Sequence, residues 1–277
     1  MVMKILVLGS DGQIGSDLVP YLRSKNHAVV EFDIFSNKKN DLRIPNILDN
    51  ILYDIDFVFF LAFDVGGSTY LKKYQNTYEF ISNNVKIMNN TFDSLKLTGT
   101  PFIFMSSQMS NMTYSTYGVL KKIGEDYTRA LETGKVVTLW NVYGYERDPE
   151  KTHVITDFIL MAKNNGVIKM RTNGKETRQF LYAEDCSECL ELLLTEFNMM
   201  TEFKIDLTNF KWESIIDIAN IISSEFNGCP VMPGKKVDDL QLNVMNPPSE
   251  YILNYWKPKT NTKEGIKKII KKMGLYG

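Results

Sequence analysis

The chain has little cysteine, almost no net charge and no long apolar run, and each shortage removes a class of protein. Three cysteines in 277 residues, Cys186, Cys189 and Cys229, are too few and too irregular for a disulfide framework. Cys186 and Cys189 form a C-x-x-C spacing inside Ala183 to Glu196, a stretch that reads as a helix. With no second cysteine pair and no histidine nearby, that spacing predicts small buried side chains one helical turn apart, and no metal. A formal net charge of −1 carries no footprint for nucleic acid. No apolar run reaches the roughly 18 residues of a membrane span. The N-terminus enters a strand without a signal-peptide pattern, so a cytoplasmic protein with no membrane partner is expected.

What is present begins in the first fifteen residues. Lys4-Ile5-Leu6-Val7-Leu8 is a short apolar run of strand-forming type. It enters Gly9-Ser10-Asp11-Gly12-Gln13-Ile14-Gly15, and an amphipathic stretch from Asp17 to Arg23 follows as a helix. Strand, glycine turn and helix in this order suit a dinucleotide. The first glycine permits a tight turn, the second lets backbone approach the pyrophosphate, and the third lets the helix pack on the strand, so the anion meets a helix N-terminus. Ala28 to Asp33 reads as the second strand, and Asp33 falls about twenty residues past the glycines, where an acid accepts hydrogen bonds from the adenosine ribose. A carboxylate there repels a 2′-phosphate, which favours NAD over NADP.

With 44% hydrophobic and 23% charged residues the chain can bury a sizeable core. Asp56 to Ala62 is a near-continuous apolar run, as in a strand buried on both faces of a parallel sheet. Tyr78 to Leu97 reads as a long helix, Pro101 to Met105 as a strand ending at Ser106-Ser107, Tyr117 to Glu132 as a helix and Lys135 to Trp140 as a strand. This alternation predicts an α/β fold, a Rossmann-type doubly wound parallel sheet. The second half is mixed: helix at Val154 to Lys163, strands at Val167 to Arg171 and Phe203 to Leu207, helix at Trp212 to Phe226. Asn246-Pro247-Pro248 and the lysine-rich Lys263 to Lys272 close the chain. We therefore expect an NAD-binding domain over residues 1–145, rejoined by about 175–210, and a smaller mixed α/β substrate-binding lobe over 146–277, packed on the first without a flexible linker.

Tyr117 and Lys121 stand four residues apart, on one helix face. A lysine cation close to a phenol favours the phenolate and lowers its pKa, which makes the tyrosine a usable acid and base. Ser107, at the end of the preceding strand, belongs at the carboxyl edge where such folds bind ligands.

These motifs together resemble an extended short-chain dehydrogenase/reductase of the NAD-dependent epimerase/dehydratase family, over nearly the whole length. The G-x-x-G-x-x-G turn, the Ser-Ser strand end and Y-x-x-x-K are shared across that superfamily. Four later stretches resemble the branch acting on nucleotide sugars: Trp140-Asn141-Val142-Tyr143-Gly144, His153-Val154-Ile155 with Phe158-Ile159, Arg178-Gln179-Phe180-Leu181-Tyr182 with Asp185, and Trp256-Lys257-Pro258. The resemblance implies Ser107, Tyr117 and Lys121 as catalytic residues, with Tyr117 the base for the sugar hydroxyl and Lys121 also on the nicotinamide ribose. It puts Gly9, Gly12, Gln13, Ile14 and Gly15 at the pyrophosphate, Asp33 at the adenosine ribose, Asp41 and Leu42 at the adenine, and Leu61, Ala62 and Asn84 along the cofactor. Asn141 and Arg178 would bind the diphosphate of the sugar nucleotide, with Ser107 at the sugar; an arginine fork meets phosphate oxygens bidentately.

Departures narrow the chemistry. Dehydratases carry Asp-Glu directly after the Ser/Thr, where this chain has Gln108 and Met109, so dehydration is not expected. The 3,5-epimerases place a reactive cysteine near the same point, and Met109 cannot serve. The segment from Ser107 to Tyr117 is unusually short. Gly66-Gly67 after the Asp56 to Ala62 strand resembles enzymes acting on GDP-linked mannose-type sugars. The expected function is NAD-dependent hydride transfer at a carbinol, C4, of a nucleotide sugar, as epimerase or dehydrogenase, with a GDP-sugar for surface polysaccharide synthesis. Three alternatives stay open: an NADP-dependent 4-ketoreductase, an L-threonine dehydrogenase-like enzyme, and a cofactor-binding protein without activity. Pairing through the helices at Tyr78 to Leu97 and Tyr117 to Glu132 would give a homodimer.

Overall fold

Strand β1 (Lys4–Leu8) lies inside the largest sheet, between the edge strand β2 (Ala28–Phe32) and β3 (Phe57–Phe60). The computed structural model describes residues 2–238 and 247–275, so Asn246 lies outside the described residues. Beyond β3 come β4 (Phe102–Ser107), β5 (Gly134–Leu139) and β10 (Lys204–Leu207). All are parallel, in the order β10-β5-β4-β3-β1-β2. The chain thus winds outward both ways from β1, and the crevice between β1 and β3 opens at the carboxyl ends of the strands.

Alternation along the strands sorts side chains to two faces. Ile5, Val7, Phe57, Phe59, Ile103, Met105 and Val137 pack under α1 (Gly15–Ser24) and α7 (Ala183–Thr195), where Cys186 and Cys189 are buried among leucines. Leu6, Leu8, Val58, Phe60, Phe102 and Phe104 face the opposite layer, α4 (Tyr78–Thr98) and α5 (Thr116–Leu131). Every residue of β3 is buried, as its unbroken apolar run requires.

A third core belongs to the smaller lobe. Ile155, Phe158, Ile168, Ile218, Ile222, Ile266 and Ile269 join α6 (Val154–Asn165), α8 (Ile215–Glu225) and α9 (Thr262–Lys272). Short strands stitch this lobe: β6 (Asn141–Tyr143) pairs β9 (Phe180–Tyr182), β8 (Thr177–Arg178) pairs β11 (Glu213–Ser214), and β7 (Ile168–Lys169) pairs β12 (Val231–Met232). The strand expected over Val167 to Arg171 is therefore only two residues long. The helix expected from Trp212 starts at Ile215, because Glu213 and Ser214 are taken into a ladder and the Ser214 hydroxyl caps Asp217 N at 3.1 Å. Two short helices in the first half, α2 (Asp49–Leu52) and α3 (Ser68–Tyr74), carry no such periodicity and were not expected. Among the described residues no helix is long and apolar enough to cross a membrane.

Candidate active site

The geometry of the cleft starts with glycine. Gly9 leaves β1 at φ +86°, a left-handed conformation, and a Cβ there would meet the Ala62 backbone nitrogen at 2.8 Å. A Cβ on Gly15 would lie 2.3 Å from the Gly9 carbonyl oxygen, so α1 can start against the turn only if that position is bare. Gly12 N closes the turn on Gly9 O at 3.2 Å. The Gln13 amide donates to Val142 O at 3.0 Å and ties the turn to β6. N–H groups at a helix start have no intrahelical acceptor, so Gln13, Ile14 and Gly15, which line the cleft where α1 begins, offer an anion a ready cradle, while the Gly12 N–H is spent on Gly9 O.

The cleft has a volume of about 610 Å³ and runs from Asp33, past the glycine turn, to Ser107 and Tyr117. Asp33 follows β2; its carboxylate accepts from Asp11 N at 3.0 Å and from Phe35 N at 2.8 Å. Those bonds hold the carboxylate at the glycine turn while each oxygen keeps a lone pair for a ribose hydroxyl. Asp41, Leu42, Leu61 and Ala62 also line the cleft. Asp41, however, takes a bidentate pair from Arg43 at 2.8 Å and 2.8 Å, which holds its carboxyl below the usual range. Asn84 does not line the cleft: it is fully buried, accepting from Asp64 N at 2.7 Å and donating to Asp64 O and Phe80 O. It fixes the loop after β3, and the neighbouring Asn83 is the residue that reaches the cleft.

At the far end, α5 is seated by Gly118, where a Cβ would lie 2.1 Å from Met109 O. This close approach puts buried Tyr117 beside Ser107, where both line the cleft. Burial pushes the Tyr117 phenol up to about 12, with the Ser107 side chain opposing. The expectation that Lys121 lowers this pKa is corrected by the structure. The Lys121 ammonium donates to Met105 O at 2.7 Å and lies 3.8 Å from the Phe63 ring centroid, but 6.0 Å from that of Tyr117. Burial pushes Lys121 itself down to about 7, against the pull of Glu125. One desolvated environment raises the phenol and lowers the amine.

A second cavity of about 160 Å³ adjoins the first and shares Ser68, Asn141, Val142 and His153 with it. Arg178 lines this cavity and not the cleft. It is buried, donates to Thr177 O at 2.7 Å and pairs with Asp238, sixty positions on, with the charge of Glu176 adding a smaller pull. Asn141 lines both spaces and donates to Gln179 O at 3.3 Å. Lys72, Lys169 and Arg171 bring further positive charge to the smaller one.

Several site residues had no signal in spacing. His153 was legible only as part of a motif; its ring Nδ1 lies 2.5 Å from Glu146 Oε1, at the junction of the two cavities. Burial disfavours the imidazolium, but Glu146 outweighs it, and the histidine pKa is raised. Arg43, Asp64, Arg147 and Lys151 also line the cleft, each from a loop. Burial would raise the Asp64 carboxyl, yet hydrogen bonds from Tyr70 and Asn83 and the charge of Lys151 hold it low.

The sequence matches the NAD dependent epimerase/dehydratase family over residues 5–205. A trifunctional UDP-glucose 4,6-dehydratase/UDP-4-keto-6-deoxy-D-glucose 3,5-epimerase/UDP-4-keto-L-rhamnose-reductase of Arabidopsis thaliana is 27% identical over 284 residues, 91% of this chain. The chain spans only 40% of that relative's length. A Methanocaldococcus jannaschii protein named as a UDP-glucose 4-epimerase is 25% identical over 301 residues, 96% of this chain and 97% of its own. Among solved structures, a GDP-6-OMe-4-keto-L-xylo-heptose reductase from C. jejuni superposes with a TM-score of 0.83 at 17% identity, over 99% of this chain and 98% of that one.

The buried lysine generates a stability prediction. In the unfolded chain Lys121 titrates near its ordinary 10.5, and in the folded protein near 7. Below the lower value both states are protonated and the full cost of burying the charge is present. Between the two values the unfolded chain binds the extra proton, so stability rises with pH until the cost has gone. Lys121→Met should therefore melt higher than the parent at pH 7, by a margin that shrinks toward pH 10. Equal margins at both pH values would contradict a buried, depressed lysine.

Proposed function

This chain belongs to the NAD dependent epimerase/dehydratase family, and we propose that within it the chain transfers hydride at C4 of a nucleotide-activated sugar. The cofactor of the family is NAD. The bare glycine turn, the anchored Asp33 carboxylate and the first turn of α1 fit a dinucleotide, with Asp33 at the adenosine ribose, Gly9 to Gly15 at the pyrophosphate and Lys121 at the nicotinamide ribose. NAD, when bound, would supply the hydride acceptor, a nicotinamide ring that carries positive charge.

The observation that carries the reading is that Ser107, Tyr117 and Lys121 together line the end of that cleft, next to a cavity lined by Arg178 and Asn141. In this reading Tyr117 takes the proton of the sugar hydroxyl, and Ser107 orients that hydroxyl. Arg178 and Asn141 hold the diphosphate, and Asp238 keeps the guanidinium in place until phosphate oxygens meet it. Gln108 stands where dehydratases carry an acid, which leaves hydride chemistry without loss of water. Epimerisation and net oxidation both use this machinery. Asp33 disfavours the NADP-dependent ketoreductase, and an amino acid such as threonine needs no diphosphate cradle of the kind Arg178 and Asn141 would form. The intact set Ser107, Tyr117 and Lys121 disfavours a silent binding protein.

For the nucleotide we propose GDP, on the likeness of Gly66-Gly67 to enzymes of GDP-linked sugars. UDP is the second reading, favoured by the names of both sequence relatives. A cytoplasmic setting for the synthesis of surface polysaccharide fits three unpaired cysteines. Val119, Ile123 and Tyr127 on α5 and Ile81 on α4 are exposed apolar side chains, which supports a homodimer through these helices. A monomer in sedimentation at micromolar concentration would refute it.

Incubation with GDP-, UDP-, dTDP- and CDP-sugars, followed by NMR of the products and absorbance of the reduced cofactor, tests the reading. An isomeric sugar without net reduced cofactor marks an epimerase, and a ketosugar with it marks a dehydrogenase. Tyr117→Phe should lower kcat by ~10²–10⁴ with little change in KM. Arg178→Ala should chiefly raise KM. Turnover of threonine alone, or an unchanged rate in Tyr117→Phe, would overturn the assignment.

A further inference from the structure

We infer that residues 146–153 form a strap across the dinucleotide cleft, and that Arg147 and Lys151 set the rate at which NAD leaves. The inference rests on NAD occupying the cleft as proposed above. After β6 the chain runs through this segment before α6 begins at Val154. Glu146, Arg147, Asp148, Lys151 and His153 all line the cleft.

The segment is fastened to both banks. On one side the Arg147 guanidinium lies 3.3 Å from the carboxylate of Asp11, inside the glycine turn. On the other, Lys151 pairs with Asp64 at 3.3 Å, lies 4.9 Å from the Tyr70 ring centroid, and offers its carbonyl to Gly67 N at 3.0 Å. The loop after β3 touches the strap along its backbone: a Cβ on Gly67 would meet Thr152 O at 2.1 Å, and one on Gly66 would meet the Lys151 Cα at 3.1 Å. This close fit is a reason for two glycines in a row, separate from any sugar. The ends of the segment are pinned to each other, since Glu146 accepts from His153 N at 3.0 Å and holds its ring at 2.5 Å.

Charge places the fastening where it matters. A carboxylate in the glycine turn is adverse to a diphosphate, and one oxygen of Asp11 is buried with no hydrogen-bond partner among the described residues. Arg147 offsets that charge and bridges the cleft at the same point. A dinucleotide running from Asp33 to Tyr117 passes under both ion pairs, and its release requires both to open. Arg147 and Lys151 are about half and two-fifths exposed, so salt screens the pairs and they act as a latch. A cofactor kept in place suits a redox-neutral reaction: the hydride leaves the sugar carbon and returns to it, the proton on Tyr117 returns to the oxygen, and no outside oxidant is needed.

The test is release of isotopically labelled NAD from preloaded protein under a chase of unlabelled NAD, in the parent, Arg147→Gln, Lys151→Gln and the double variant. Melting temperatures near that of the parent establish that the variants fold. Each single change should speed release about threefold to fivefold and the double about tenfold or more. Raising salt from about 0.05 to about 0.5 M should speed release from the parent and leave the double variant nearly unmoved. Adding Asp11→Asn to Arg147→Gln separates bridging from neutralisation: release that stays fast supports the strap, and full recovery overturns it. Equal release rates in parent and double variant overturn the strap alone. Failure of the parent to bind labelled NAD removes the cofactor reading itself.

Discussion

The close approach of Gly15 to the Gly9 carbonyl is the constraint on which the site depends. With 2.3 Å between that oxygen and any Cβ on Gly15, α1 must begin directly on the turn that leaves β1. Gly9 at positive φ brings that turn against Ala62, at the exit of β3. The switch in winding direction between β1 and β3, the helix N-terminus and the floor of the cleft thereby meet at one point. Asp33, hydrogen-bonded to Asp11 in the turn, ties the end of β2 to the same place. A dinucleotide site follows from packing before any side chain touches a ligand.

The reactive end is built by exclusion of water. Tyr117 and Lys121 are both nearly inaccessible, and desolvation drives their pKa values apart, to about 12 and about 7. Lys121 meets a backbone carbonyl and two aromatic rings in place of the phenol. The arrangement holds a neutral phenol and a readily titrated amine one helical turn apart.

The sheet was readable because β3 and its neighbours are buried on both faces, which leaves continuous apolar runs, and because the long helices carry periodic stripes capped by Thr77 and Ser115. The smaller lobe was only partly so: strands of two or three residues such as β8 and β11 are set by tertiary pairing, and no period shows in so short a span. Glycine spacing located the turn between β1 and α1. It did not tell that Asn84 would be spent on holding the Asp64 loop, or that Arg43 would take the Asp41 carboxylate. Asp64, Arg147 and Lys151 come together from loops far apart in sequence, and only the folded chain puts them across one cleft.

The most direct measurement is a crystal structure with NAD and the preferred nucleotide sugar bound. A dinucleotide should lie from Asp33 over Gly9–Gly15 to Lys121, with the reacting sugar hydroxyl within about 2.6–3.2 Å of the Tyr117 oxygen. A dinucleotide bound elsewhere, or a sugar whose hydroxyls all lie beyond reach of Tyr117, would contradict that placement.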